Sequence, residues 1–263
     1  MQIENLSDST LPPYLACLEE WSDDIREAGG RKAAWLEKMK NRGLKVKVAV
    51  EDGETVGMIQ AVPIEQSQAE GKNLYFIHCI WVHGHKGKGV GDRRGRGIGK
   101  AMLSALEEDV RTIGAKGMAA WGLALPFWMR ASWFRKQGYR KADRDGMAVL
   151  VWKPFAEDAE APRWIRRKKT PGRIDGKVAV DAFVNGWCNV QNTAIERARR
   201  AAATFGDRAE FRLVDTSERP AFLEWGLSDA LFIDGKPVRI GPPPSYEKIR
   251  RAMEKRINKL PRH

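Results

Sequence analysis

The chain has 263 residues, 46 Lys and Arg against 34 Asp and Glu, a formal net charge of +12, and 43% hydrophobic residues. That length supports a sizeable core and more than one domain, and the ordinary composition excludes a disordered chain. No apolar run approaches a membrane span, and the N-terminus, MQIENLSDST, lacks the basic-then-apolar pattern of a secretory signal, so a cytoplasmic protein is expected. Three widely spaced cysteines, Cys17, Cys79 and Cys188, make neither a disulfide framework nor a zinc knuckle.

Residues 11 to 42 read as two helices broken near Ala28-Gly29-Gly30, with Trp21, Ile25, Ala33, Trp35, Leu36 and Met39 turned inward. LKVKVAVEDGETVGMIQAVPI is a hairpin about Glu51-Asp52-Gly53-Glu54. After a polar loop, NLYFIHCIWV reads as a buried central strand starting at Asn73. A basic loop from His83 to Arg93 follows, whose glycines suggest a mobile lid. Then Arg94-Gly95-Arg96-Gly97-Ile98-Gly99-Lys100 opens a helix that runs to about Gly114. Lys116 to Gly122 is a short apolar strand. FWMRASWFRKQ after Pro126 is a second helix that stops at Gly138, and Tyr139 to Pro154 is a strand pair. Trp121, Trp128 and Trp133 read as core packing, with lining of an acceptor cleft by one of them as the alternative.

The turn before the first long helix carries the chemistry. Free N–H groups at a helix start, glycines that allow close backbone approach, and flanking arginines make a site for a pyrophosphate. The bland alternative is a tight strand-to-helix turn in a basic protein. Lysine and arginine gather at residues 86–100, 163–173, 197–200 and in the tail from Lys248. No nucleic-acid reader motif accompanies them, so nucleic-acid binding is not the expected main role.

This order of elements, with RRGRGIG after the central strand and Phe134-Arg135-Lys136-Gln137-Gly138-Tyr139 ending the second helix, resembles the GNAT superfamily of N-acetyltransferases. The family's cofactor motif is Arg or Gln, two variable residues, Gly, one variable residue, then Gly or Ala. Arg94, Gly97 and Gly99 meet it, and the resemblance covers about residues 1 to 155. It implies acetyl-CoA as cosubstrate, with the pyrophosphate on the backbone of Arg94, Gly95, Arg96, Gly97, Ile98, Gly99 and Lys100. It also implies a central strand that splays from its neighbour, so that the backbone of Ile80, Trp81 and Val82 holds the pantetheine arm and the acetyl carbonyl.

For the acid, many family enzymes carry a tyrosine where this chain has Phe134, which donates no proton. Ser132 or a water is then left to protonate the thiolate, or the thiolate leaves unaided. For the base, His78, His83 and His85 lie on or just past the central strand. Strand alternation puts His78 on one face with Ile80 and Val82. His83-x-His85 lacks a third ligand, so no metal is expected.

After Pro154 the composition changes. Residues 156–176 are polar and basic and read as a linker. From 177 to 263 the pattern is strand, helix, strand, short helix, hairpin about Asp234-Gly235-Lys236, and terminal helix. It resembles a thioredoxin fold, closest to the YoaP-like domains appended to some GNAT proteins, with Trp187-Cys188 where that family begins its Trp-Cys-x-x-Cys motif. Gln191 replaces the second cysteine, and Gly226 to Asp229 lacks the facing proline. The resemblance therefore implies a redox-inactive module for substrate shaping, docking or dimer contacts, with a monothiol role for Cys188 as the alternative.

The expected fold class is α/β (α+β): a GNAT-like mixed sheet flanked by helices (1–155), a linker (156–176) and a smaller thioredoxin-like domain (177–263). The expected function is transfer of an acetyl group from acetyl-CoA to a primary amine of a small molecule or protein by direct attack, without membrane attachment and compatible with a homodimer. The lid and the appended domain lean towards a small-molecule acceptor. Two alternatives stand beside it: an acyl-CoA-binding module without turnover, and a thiol-dependent protein acting through Cys188.

Overall fold

The computed structural model describes residues 1–125 and 129–261. Its elements are β1 (Gln2–Asn5), α1 (Leu11–Leu15), α2 (Asp23–Glu27), α3 (Arg31–Lys40), β2 (Lys45–Glu51), β3 (Glu54–Pro63), β4 (Ala69–Glu70), β5 (Leu74–Val82), α4 (Ile98–Thr112), β6 (Gly117–Leu123), α5 (Ala131–Lys136), β7 (Arg140–Asp145), β8 (Ala148–Pro154) and β9 (Arg163–Trp164). They continue as β10 (Val178–Val184), α6 (Asn189–Ala203), β11 (Ala209–Asp215), α7 (Arg219–Trp225), β12 (Ala230–Ile233), β13 (Lys236–Val238) and α8 (Tyr246–Ile257). Contacts divide the chain into two units. One is Met1–Trp21 with Leu36–Ile165; the other is Ser22–Trp35 with Arg166–His263.

The first unit is built on a seven-stranded mixed sheet in the order β1-β2-β3-β5-β6-β8-β7. The predicted hairpin of β2 and β3 turns on Asp52 and Gly53, both at positive φ (53° and 81°), the geometry that matches the twist of paired strands. Helix α4 presents Ile98, Met102, Leu103, Leu106 and Val110 to one face of the sheet, at the spacing of a single helical stripe. They pack against Val56, Ile59, Ala61, Ile77, Met118 and Phe134. Leu74, Phe76, Leu150 and Trp152 belong to a second apolar cluster, with Trp164 against it.

Three differences from expectation have physical causes. The stretch from 11 to 42 holds three helices rather than two, because Cys17 and Leu18 both take positive φ (52° and 62°) and end α1. Arg163–Trp164, read as linker, pairs with Ala69–Glu70, because Trp164 finds an apolar partner in Phe76 at 6.1 Å between ring centroids. The second helix is confined to α5, with Met129 at φ 50° before it. The rest of the stretch expected to start it, together with Trp128, lies outside the described residues.

The second unit has a four-stranded sheet in the order β11-β10-β12-β13. β10 is parallel to β11 and antiparallel to β12, and every residue of β10 is buried. Helices α6 and α8 cover one face through Ala194, Ile195, Ala198, Ile249, Met253 and Ile257. Ser22–Trp35 joins this unit through Arg197, whose guanidinium meets Asp24 at 2.5 Å and Glu27 at 2.7 Å, and through Thr193, whose hydroxyl donates to the Asp24 carbonyl at 2.6 Å.

At the end of β6 the backbone of residues 129–131 runs directly over Gly122. A β-carbon there would stand 2.6 Å from Ala131 N and 2.7 Å from its Cα, with no flexible side chain to give way. Gly122→Ala is expected to lower stability by roughly 1–3 kcal/mol through overpacking, read as a lower denaturant midpoint. An unchanged midpoint would contradict this close approach.

Candidate functional site

The site begins with a strand that changes neighbours. β5 pairs with β3 from Tyr75 to Val82, but with β6 only over Leu74–Ile77 against Gly117–Ala120. β6 stays on β8 through Leu123. The sheet therefore opens beyond Ile77, and the backbone edge of Ile80, Trp81 and Val82 on that side has no ladder partner from β6. A bulge marks the start of the opening: Gln60 pairs with Cys79 and Ala61 with Ile77, so His78 is the extra residue. Bulges sharpen local twist and re-aim side chains. At the foot of the opening the Trp121 indole donates to the His78 carbonyl at 2.8 Å.

Helix α4 starts beside this opening. Gly97 is its N-cap at φ 80°, and Gly95 stands at φ 78°, conformations that cost a side-chain-bearing residue energy. The N–H groups of Ile98, Gly99 and Lys100 belong to the first turn, where no preceding turn can accept them. Ile98 anchors the turn in the core, while Arg94, Gly95, Arg96, Gly97 and Lys100 are exposed. Gly99 lies beneath Trp133: a β-carbon there would be 3.4 Å from its ring and 3.9 Å from Ile80.

Two carboxylates organise the arginines. Glu51 accepts from Arg96 at 2.8 and 2.9 Å and from Arg93 at 2.6 Å. Asp92 accepts from Arg94 at 2.8 and 2.7 Å, and that guanidinium holds its carboxyl well below the usual carboxylate range. Sequence reasoning missed both: Glu51 was visible only as a turn residue, and Asp92 only as one acid in a basic loop. Three arginines and Lys100 against two acids leave the turn positive, which suits an anion at the helix start.

The predicted catalytic residues separate. His78 is fully buried, and burial lowers its pKa to about 3. The bulge also corrects its expected orientation. His78 lies against the Phe76 ring at 5.4 Å, whereas Ile80 and Val82 pack into the cluster under α4, so the three do not share a face. His83 is fully buried, with Nδ1 at 2.6 Å from the Gly91 carbonyl. A carbonyl only accepts, so Nδ1 carries the proton and Nε2 the lone pair.

His85 is half-buried, with Nε2 3.1 Å from Glu19 Oε1 and its ring beside Trp21 and Trp81. These bonds, with Arg93 N donating to the His83 carbonyl at 2.9 Å, tie down the glycine-rich loop. Ser132 is exposed on the first turn of α5. Phe134 is fully buried between Trp133 and Tyr139, and burial followed by the Glu107 carboxylate pushes the Tyr139 hydroxyl well above its usual range. Cys188, in the second unit, caps α6 and is buried.

Among the described residues no group of three or more His, Cys, Asp or Glu side chains is placed to hold a metal, and no helix is long and apolar enough to cross a membrane. Residues 5–139 match the family model described as acetyltransferase (GNAT) family. No curated protein matches the chain. Among solved structures it is similar to an aminoglycoside 6′-acetyltransferase type Ii, at 21% identity and TM-score 0.45 over 59% of this chain and 98% of that one. It is similar to the ribosomal-protein-alanine N-acetyltransferase of Brucella melitensis, at 20% and 0.44 over 59% and 100%. It is also similar to the PaiA N-acetyltransferase of Thermoplasma acidophilum in complex with coenzyme A, at 19% and 0.43 over 59% and 100%.

The buried His78 makes stability depend on pH. Its folded pKa, about 3, lies below the ordinary imidazole value of about 6.5, so below about pH 6.5 the unfolded chain takes a proton that the folded chain refuses. The stability present at neutral pH is expected to fall as pH drops from about 6.5 towards 3. Urea midpoints measured across that window should fall less steeply in His78→Leu than in the wild type. Equal slopes would contradict a neutral buried imidazole.

Proposed function

The chain belongs to the acetyltransferase (GNAT) family, and from that premise we propose that it moves an acetyl group from acetyl-CoA to a primary amine of a small molecule or protein by direct attack. Membership makes it an acyl-CoA-dependent N-acyltransferase, with acetyl-CoA the family's cosubstrate. The observation that carries the proposal is the opening between β5 and β6 beside the first turn of α4. The N–H groups of Ile98, Gly99 and Lys100, with the charge of Arg94 and Arg96, would hold the pyrophosphate. The unpaired edge of Ile80, Trp81 and Val82 would hold the pantetheine arm and polarise the thioester carbonyl.

Since Phe134 carries no proton, we assign protonation of the departing thiolate to the exposed Ser132 or to solvent. Full burial leads us to assign His78 and His83 to shaping the strand end rather than to proton transfer. A second reading, an acyl-CoA-binding module without turnover, draws on that same buried Phe134. For the second unit we propose a thioredoxin-like module over residues 177–263, supported by its strand order and the parallel β10–β11 pair. The burial of Cys188 favours a docking or shaping role over thiol chemistry.

Calorimetric titration with acetyl-CoA tests the cosubstrate site. Binding in about the micromolar range is expected, weakened about ten- to hundredfold in an Arg94→Ala/Arg96→Ala double variant through lost charge-assisted contacts. No binding by the wild type would overturn the proposal. Binding without thiol release across a panel of primary amines would favour the module without turnover. A Cys188→Ser variant is expected to keep full activity.

A further inference from the structure

Glu19, Trp21, Trp81, His85 and Lys88 gather at the end of β5, on the face of the sheet away from α4. Trp81 points there because Ile80 and Val82 pack into the cluster under α4 and strand side chains alternate. Its indole lies 6.2 Å from the His85 ring, and Trp21 meets the same ring edge-on at 5.1 Å. His85 Nε2 stands 3.1 Å from Glu19 Oε1. A carboxylate only accepts, so Nε2 carries a proton, and the lone pair that the ring can offer as a base is on Nδ1.

Lys88 Nζ is 4.4 Å from the Trp21 ring centroid, where the face of an indole attracts a cation. Three further polar atoms here are buried without a hydrogen-bond partner among the described residues: Nε1 of Trp21, Nε1 of Trp81 and Nε2 of the fully buried His83. Buried polar atoms are ordinarily satisfied by protein groups or ordered water, and here Gly89 lies over two of the three: a β-carbon on it would be 3.0 Å from His83 Nε2 and 3.1 Å from Trp21 Nε1.

We propose that this cluster is the amine-acceptor site and that Lys88 is its built-in occupant, acetylated by the chain's own activity. The proposal rests on the acetyl-transfer reading above. The thioester arm enters the opening beside α4, and the amine comes from the opposite face, so the two meet at the edge of β5. His85 Nδ1 takes one proton from the Lys88 ammonium while Glu19 holds the imidazole in place. The freed lone pair forms the C–N bond to the thioester carbonyl carbon. The C–S bond breaks, nitrogen gives its second proton to solvent, the thiolate takes one from solvent directly or through Ser132, and His85 returns the first to solvent. External acceptors of matching chemistry are primary alkylammonium ions, which compete with Lys88 for the Trp21 face.

The test incubates the whole protein with isotopically labelled acetyl-CoA and no added amine, then maps modified lysines by peptide mass spectrometry. One labelled acetyl group is expected at Lys88, at a rate independent of protein concentration and well above that at Lys86, which is exposed like Lys88 and two residues away. His85→Gln is expected to slow it about a hundredfold, and Glu19→Gln by a smaller factor, both with unchanged calorimetric affinity for coenzyme A. Labelling of Lys88 no faster than of Lys86, or unaffected by His85→Gln, overturns this assignment and leaves the transfer reading intact. Failure of the wild type to bind acetyl-CoA overturns both.

Discussion

Backbone N–H and C=O groups inside a sheet need partners, and a strand that loses a neighbour partway along must have its free edge satisfied by something else. In this protein that strand is β5. It holds β3 along its length and releases β6 after Ile77, with the bulge at His78 setting where the release begins. Two consequences follow. The edge of Ile80–Val82 is left without a ladder partner from β6. The parity of the strand also resets, so Ile80 and Val82 anchor to α4 while Trp81 faces the opposite side with His85 and Trp21. One irregular residue thus separates the face of the strand that packs under α4 from the face shared by Trp81, His85 and Trp21.

The basic turn is arranged before any anion arrives. Arg96 and Arg93 share Glu51, and Arg94 is held by Asp92. The pairs fix rotamers of long side chains, and that ordering is otherwise a cost of binding. The carboxylates offset part of the positive charge, so in the proposed cosubstrate site the backbone donors at the helix start would carry much of the selectivity for an anion. Buried Ile98 below and Trp133 over Gly99 keep that first turn in place against the strand.

Much of this was legible in the sequence where local chemistry decides structure. Asp52-Gly53 and Asp234-Gly235 specify tight hairpins, the α4 stripe specifies one buried face, and the Arg94–Lys100 turn falls where its glycines require positive φ. The misses lie where tertiary contacts override local signals. No glycine or proline announces the break at Cys17 and Leu18. Nothing in NLYFIHCIWV marks His78 as the bulged residue, so simple alternation gave it the wrong face. Trp164 hides in a basic stretch yet finds Phe76. Ser22–Trp35 groups with the second unit through charges on α6, and Glu19 meets His85 across 66 residues, a pairing no spacing rule reaches.

The most direct measurement is amide hydrogen exchange of the whole protein with and without coenzyme A. If the open edge of β5 and the first turn of α4 together receive the cosubstrate, exchange slows at residues 80–82 and 98–100, while the paired stretch of β5 before Ile77 is unaffected. Protection confined to other segments, or none at these two despite saturation, would contradict the account.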